Sequence, residues 1–79
     1  MFINKAKDGK NNICWKRVAE LRKNMKISQR ELADILQLQG LDVDKNVIQR
    51  IESGQRFVTD IELLALSKVF NINIPSLLI

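Results

Sequence analysis

Residues 32–54, LADILQLQGLDVDKNVIQRIESG, carry two apolar stripes separated by a polar stretch, and the way they pair decides the fold. Leu32, Ala33, Ile35 and Leu36 form the first stripe, and Val47, Ile48 and Ile51 form the second. Both follow the 3.6-residue period of a helix rather than the alternation of a strand. The first helix is expected over about 28–38, because Ser28 and Glu31 fit a capping box in which each side chain bonds the other's backbone N–H. Asp44 suits the N-cap of the next helix, over about 45–53, and Gly54 can take the positive φ of a helix stop. Between them, residues 39–43 lengthen a connection that usually takes about three or four residues. Two readings compete for this stretch. In one, Leu41 and Val43 turn inward, Asp42 and Asp44 stay wet, and the second helix keeps its pose on a longer tether. In the other, the second helix is displaced. The undisturbed register of Asp44, Ile48, Ile51 and Gly54 favours the first, and longer loops cost only about 0.6 kcal/mol per doubling of length.

Period 3.6 extends in both directions. Val18, Leu21 and Met25 predict helix 1 over about 11–25, behind a flexible basic arm, residues 1–10, that holds Lys5, Lys7 and Lys10. Thr59 with Glu62 makes a second capping box, and Leu63, Leu66 and Phe70 predict helix 4 over about 60–70. Asn73 can cap a last short helix with Pro75 in its first turn. Strand signals are scarce. The fold class is all-α, a compact five-helix arrangement with an extended turn, and residues 11–79 are expected to form a single domain.

The 79 residues are 46% hydrophobic and 28% charged, the balance of a globular domain close to the lower size limit for a self-sufficient core. No apolar run approaches the ~18 residues of a membrane span, and Met-Phe-Ile is too short for a signal peptide, so a cytoplasmic location is expected. There is no histidine and a single cysteine, Cys14, which excludes an internal disulfide framework and removes the usual metal ligands and proton shuttles. No enzyme activity, cofactor or metal is expected. Asp42 and Asp44 are explained as a loop carboxylate and an N-cap. Cys14 reads as a small, half-buried helix residue, with a redox-sensing thiol as the alternative. The charge is uneven: residues 1–30 hold nine Lys/Arg against Asp8 and Glu20, a balance of +7, and the remainder holds four against seven, a balance of −3. Such a basic N-terminal third suits a polyanionic partner.

The run KISQRELADIL, then NVIQRIESGQR, then TDIELLALSKVFNI resembles the lambda-repressor-like, Cro/XRE-type helix-turn-helix regulators of bacteria and phage, over roughly residues 13–78. Arg22, Ser28-Gln29, Leu32-Ala33, Ile48, Ile51-Glu52, Gly54 and Arg56 carry the likeness. It implies a helix-turn-helix made of helices 2 and 3 that binds double-stranded DNA and regulates transcription, with repression favoured over activation and the sequence itself not distinguishing the two. It also implies a phosphate contact from Gln29, an ion pair between Arg22 and Glu52, and a backbone contact from Arg56. A nucleoid-associated location goes with that role.

With Val47, Ile48 and Ile51 turned inward, helix 3 would present Lys45, Asn46, Gln49 and Arg50. Lys and Arg can donate to guanine O6 and N7, and Asn and Gln can pair with adenine. Lys45, Asn46 and Gln49 are the expected base readers, nearest the groove. Gln29, Arg30, Arg17, Arg50 and Arg56 are expected at phosphates, which set position without reading sequence. A homodimer is expected, with Ile61, Leu64, Leu77, Leu78 and Ile79 as interface candidates. The rival function is an antitoxin or adaptor that uses the same fold to bind a protein partner.

Overall fold

The computed structural model of the chain describes residues 9–78. The arm residues Lys5 and Lys7 and the interface candidate Ile79 lie outside this range. The described residues form five helices and no strand: α1 (Trp15–Asn24), α2 (Gln29–Leu38), α3 (Lys45–Glu52), α4 (Asp60–Phe70) and α5 (Ile74–Leu77). Their starts follow from local chemistry. Both capping boxes are complete, Ser28 with Glu31 and Thr59 with Glu62. Asp44 accepts from the Val47 N–H at 3.0 Å, and Asn73 accepts from the Ser76 N–H at 3.0 Å. Each cap satisfies backbone donors that a helix start would otherwise leave unpaired.

The helix ends share one device. After α2, Gly40 takes φ 88°, its N–H bonds the Gln37 carbonyl at 2.9 Å, and the Leu41 N–H reaches back to Leu36 at 3.2 Å. This double bond around a left-handed residue satisfies the last carbonyls and reverses the chain. Gly54 does the same after α3, with its N–H on Ile51 and that of Gln55 on Arg50. A Cβ at Gly54 would meet Lys10 side-chain carbons at 2.6–2.9 Å, so the site needs glycine for space as well as for φ.

α3 packs against α2 and α1, α4 lies against α2 and α1, and α5 folds back on α4. Val18, Leu32, Leu36, Ile48, Ile51, Leu66 and Leu77 are fully buried among them. The lengthened turn belongs to this core. Val43 is only 3% exposed, Leu41 packs against the cluster, and Asp42 and Asp44 face solvent. Gln37 Nε2 donates to the Val43 carbonyl at 2.6 Å and fixes the stretch. The connection is therefore a wall of the core more than a tether.

Four expectations need correction. Helix 1 begins at Trp15 and not near residue 11, because Asn11 and Asn12 are engaged elsewhere. Asn12 Nδ2 donates to the carbonyls of Ile51 (3.2 Å) and Arg56 (2.8 Å), while Asn11 donates through its backbone N–H to Gly54 and through Nδ2 to Gln55, both at 2.7 Å. A helical backbone there would forfeit this strap across the end of α3. Cys14 is not half-buried on a helix: it precedes α1 and is 1% exposed, with Sγ 3.6 Å from Asn12 Oδ1. Burial is the main cause that pushes its thiol above the ordinary value, and the Glu62 charge adds to this against an opposing backbone hydrogen bond. A thiol so disfavoured as thiolate does not suit redox sensing. Met25 is 43% exposed, because it caps α1 beyond its last buried turn. Leu77, offered as an interface residue, is completely buried where α5 closes over the core.

Candidate nucleic-acid interface

The eight residues of α3 divide cleanly between two faces. Ile48 and Ile51 are buried and Val47 is half-buried, whereas Lys45, Asn46, Gln49 and Arg50 are all exposed. The exposed four recur at i, i+1, i+4 and i+5, so they share one side of the helix. The ends of α3 are held firmly, by Asp44 at the start and by the Asn11–Asn12 strap at the finish. An eight-residue helix would be marginal alone, so its stability comes from these anchors and from packing.

One carboxylate ties the motif together. Glu52 Oε2 accepts from Arg22 Nε at 2.6 Å, and Oε1 accepts from Arg22 Nη2 at 3.1 Å and from Gln29 Nε2 at 3.1 Å. Arg22 Nη1 also donates to the Ile27 carbonyl at 2.9 Å. A single cluster thus joins α1, the start of α2 and the end of α3. The Arg22 and Glu52 side chains are 13% and 8% exposed. The Glu52 hydrogen bond is the main cause that raises the Arg22 guanidinium above its ordinary value, against a smaller opposing burial effect. Stability from that shift is fully present below the ordinary arginine value and is lost only as pH climbs past the raised one. Arg22 therefore stays charged throughout the physiological range.

The structure gathers some of the sequence candidates and separates others. A groove between α1 and α3 brings Gln29 and Gln49 together with Lys16, Lys23, Asn24 and Ser53. A second groove holds Arg30 beside Lys45, next to Asp34 and Asp44. Arg50 is exposed on α3. Arg17, in contrast, bonds Glu20 at 2.7 Å and directs Nε to the Ser76 carbonyl at 3.3 Å, which aims it at α5. Arg56 pairs with the buried Glu62 at 2.8 Å and braces the α3–α4 connection. Both guanidinium groups are thus engaged within the fold.

Lys16 and Lys23, absent from the sequence candidates, line the same groove as Gln29 and Gln49. The signal was available, since positions 16, 20 and 23 recur at helical spacing away from Val18 and Leu21. Lys10, assigned to the flexible arm, lies against Gly54 and places Nζ 5.3 Å from the Trp15 ring centroid, with Lys16 Nζ at 5.2 Å from the same ring. Such contacts attract a cation to an aromatic face and hold both lysines near α1.

The family model described as helix-turn-helix matches residues 18–77 of the chain. Among solved structures, the chain is similar to the restriction-modification controller protein C.AhdI from Aeromonas hydrophila, at 31% sequence identity and a TM-score of 0.69, over 81% of this chain and 86% of that one. No curated protein matches the sequence.

Proposed function

The chain belongs to the XRE-type helix-turn-helix family of DNA-binding transcriptional regulators, and from that premise we propose that it reads one duplex sequence with the outward face of α3 and represses transcription by occupying it. The observation that carries this reading is the exposure of Lys45, Asn46, Gln49 and Arg50 on a helix pinned at both ends. Lys45, Asn46 and Gln49 read base edges, because the first residues of a recognition helix approach the groove most closely. Gln29, Arg30 and Arg50 contact phosphates, joined by Lys16 and Lys23 along the α1–α3 groove. The Gln29 amide has two N–H groups, and the contact with Glu52 uses one, so the same contact orients the other toward the strand. Arg22 and Glu52 serve as the structural pair beneath them. Arg17 and Arg56, each about a third exposed, stay in the contact set and would reach a phosphate from their present partners, Glu20 and Glu62.

One such domain spans one half-site, and two copies about 34 Å apart along the duplex give the usual affinity and selectivity. The protein acts as a homodimer, with Ile61, Leu64 and Leu78 as the exposed apolar candidates. It works without catalysis, by occupancy alone, which suits the controller role named for the similar protein. No described helix is long and apolar enough to cross a membrane, and a DNA partner places the protein at the nucleoid in the cytoplasm.

The test is substitution on the reading face. Lys45→Ala or Gln49→Ala is expected to cost about 1–3 kcal/mol on the preferred duplex and little on random duplex. Fluorescence anisotropy titrations on both duplexes separate the two. Equal losses on both would reassign these residues to phosphate contact.

A further inference from the structure

Resting on the homodimer reading, we propose that two copies pair through the exposed face of α4, with the helices antiparallel across a two-fold axis at Leu64 and the lengthened α2–α3 turn lining the seam. Of the eleven residues of α4, four are exposed: Asp60, Ile61, Leu64 and Lys68. Their spacing of i, i+1, i+4 and i+8 sets them along one stripe of the helix. The middle of the stripe is apolar, with Ile61 69% and Leu64 48% exposed. The ends carry opposite charges, and neither Asp60 nor Lys68 forms an ion pair among the described residues.

Symmetry makes this pattern specific. Across a two-fold axis, residue i meets j and j meets i. Asp60 and Lys68 stand four positions to either side of Leu64, so an antiparallel pairing centred there sets each Asp60 opposite the partner's Lys68 and lets Leu64 meet its own mate. A parallel pairing would oppose Asp60 to Asp60 and Lys68 to Lys68, which is repulsive at both ends. The stripe is therefore complementary to itself in one orientation, and its occupant is a second copy of this chain. The turn supplies a receptor for it. Gln39, Gly40 and Leu41 meet Ile61, Leu64 and Ala65 around a groove of about 140 Å³. That approaches the ~150 Å³ that accommodates a benzene ring, enough for one branched apolar side chain. The partner's Ile61 is the side chain that enters it.

The test uses charge reversal in the full chain, followed by sedimentation equilibrium. Asp60→Lys alone and Lys68→Asp alone should each weaken self-association about tenfold or more, because both symmetric pairs turn from attraction to repulsion. An equimolar mixture of the two variants should regain the wild-type mass as a heterodimer, and the double variant should regain it alone. Both the mixture and the double variant still carry Lys at position 60, so their recovery excludes a weakened start of α4 as the cause of the loss. Leu64→Glu should give a monomer with unchanged helical circular dichroism. A dimer indifferent to all of these changes would overturn the α4 seam and leave the homodimer reading intact. A wild-type chain that stays monomeric and binds its DNA as a monomer would overturn both.

Discussion

Replacing Glu52 with alanine is expected to lower the folding stability by about 3–5 kcal/mol, the usual cost of stripping one partner from a buried ion pair. The domain has roughly 4–12 kcal/mol in total at 79 residues, so the variant would be partly unfolded at 37 °C. The cause lies less in lost attraction than in what remains. Arg22, at 13% exposure, would keep its charge and lose the carboxylate that accepts from both Nε and Nη2. Gln29 would lose its anchor at the same time. Removing both charges with Arg22→Met and Glu52→Leu should recover most of the stability, because well-packed apolar groups can replace a buried pair at little cost. Chemical denaturation of the three variants checks the order. A loss below about 1 kcal/mol for Glu52→Ala would mean that solvent screens the pair as it does a surface bridge.

Deleting residues 39–43 should be nearly as damaging. The deletion removes Val43, whose burial contributes about 1.5–3 kcal/mol, and part of the cover supplied by Leu41. It also removes the bonds that Gly40 and Leu41 make to the carbonyls of Gln37 and Leu36, at about 0.5–1.5 kcal/mol each. Against this, loop closure returns only about 0.6 kcal/mol per halving of length, and the single residue left between α2 and α3 is too short to make the turn. The expected net loss is several kcal/mol, visible as a lower denaturation midpoint. Asp42→Ala, on the solvent side of the same turn, should change stability by less than about 0.5 kcal/mol. A deletion variant as stable as the parent and equally active on DNA would show the turn to be a plain tether.

These two regions also show how far the sequence can be read. The starts of α2, α3, α4 and α5 were legible because a cap is a local object: Ser28, Asp44, Thr59 and Asn73 each bond a group about three residues away. The inward turn of Val43 was legible from apolar residues alternating with Asp42 and Asp44. The outward face of α3 followed from the period of its apolar side. What escaped reading depends on partners distant in sequence. The late start of α1 is set by Asn12, whose amide bonds carbonyls 39 and 44 residues away. The contact of Arg17 with the Ser76 carbonyl joins residues 59 apart, and no local pattern announces it. Leu77 has no neighbours that reveal burial, since a single turn of helix has too few residues to show a period. Arg56 and Glu62 are close in sequence, yet Glu62 was already explained by its capping box, and a carboxylate can serve both uses.

A dimeric protein that reads sequence through α3 should select particular duplexes. Selection of bound duplexes from a random pool tests this most directly, followed by titration of the enriched sequence and a scrambled control at two salt concentrations. The expected result is a palindromic motif with half-sites about ten base pairs apart, bound at least ~10³ tighter than the control. An unenriched pool with only weak, steeply salt-dependent binding would contradict it, and would leave the basic N-terminal third as a source of generic attraction alone.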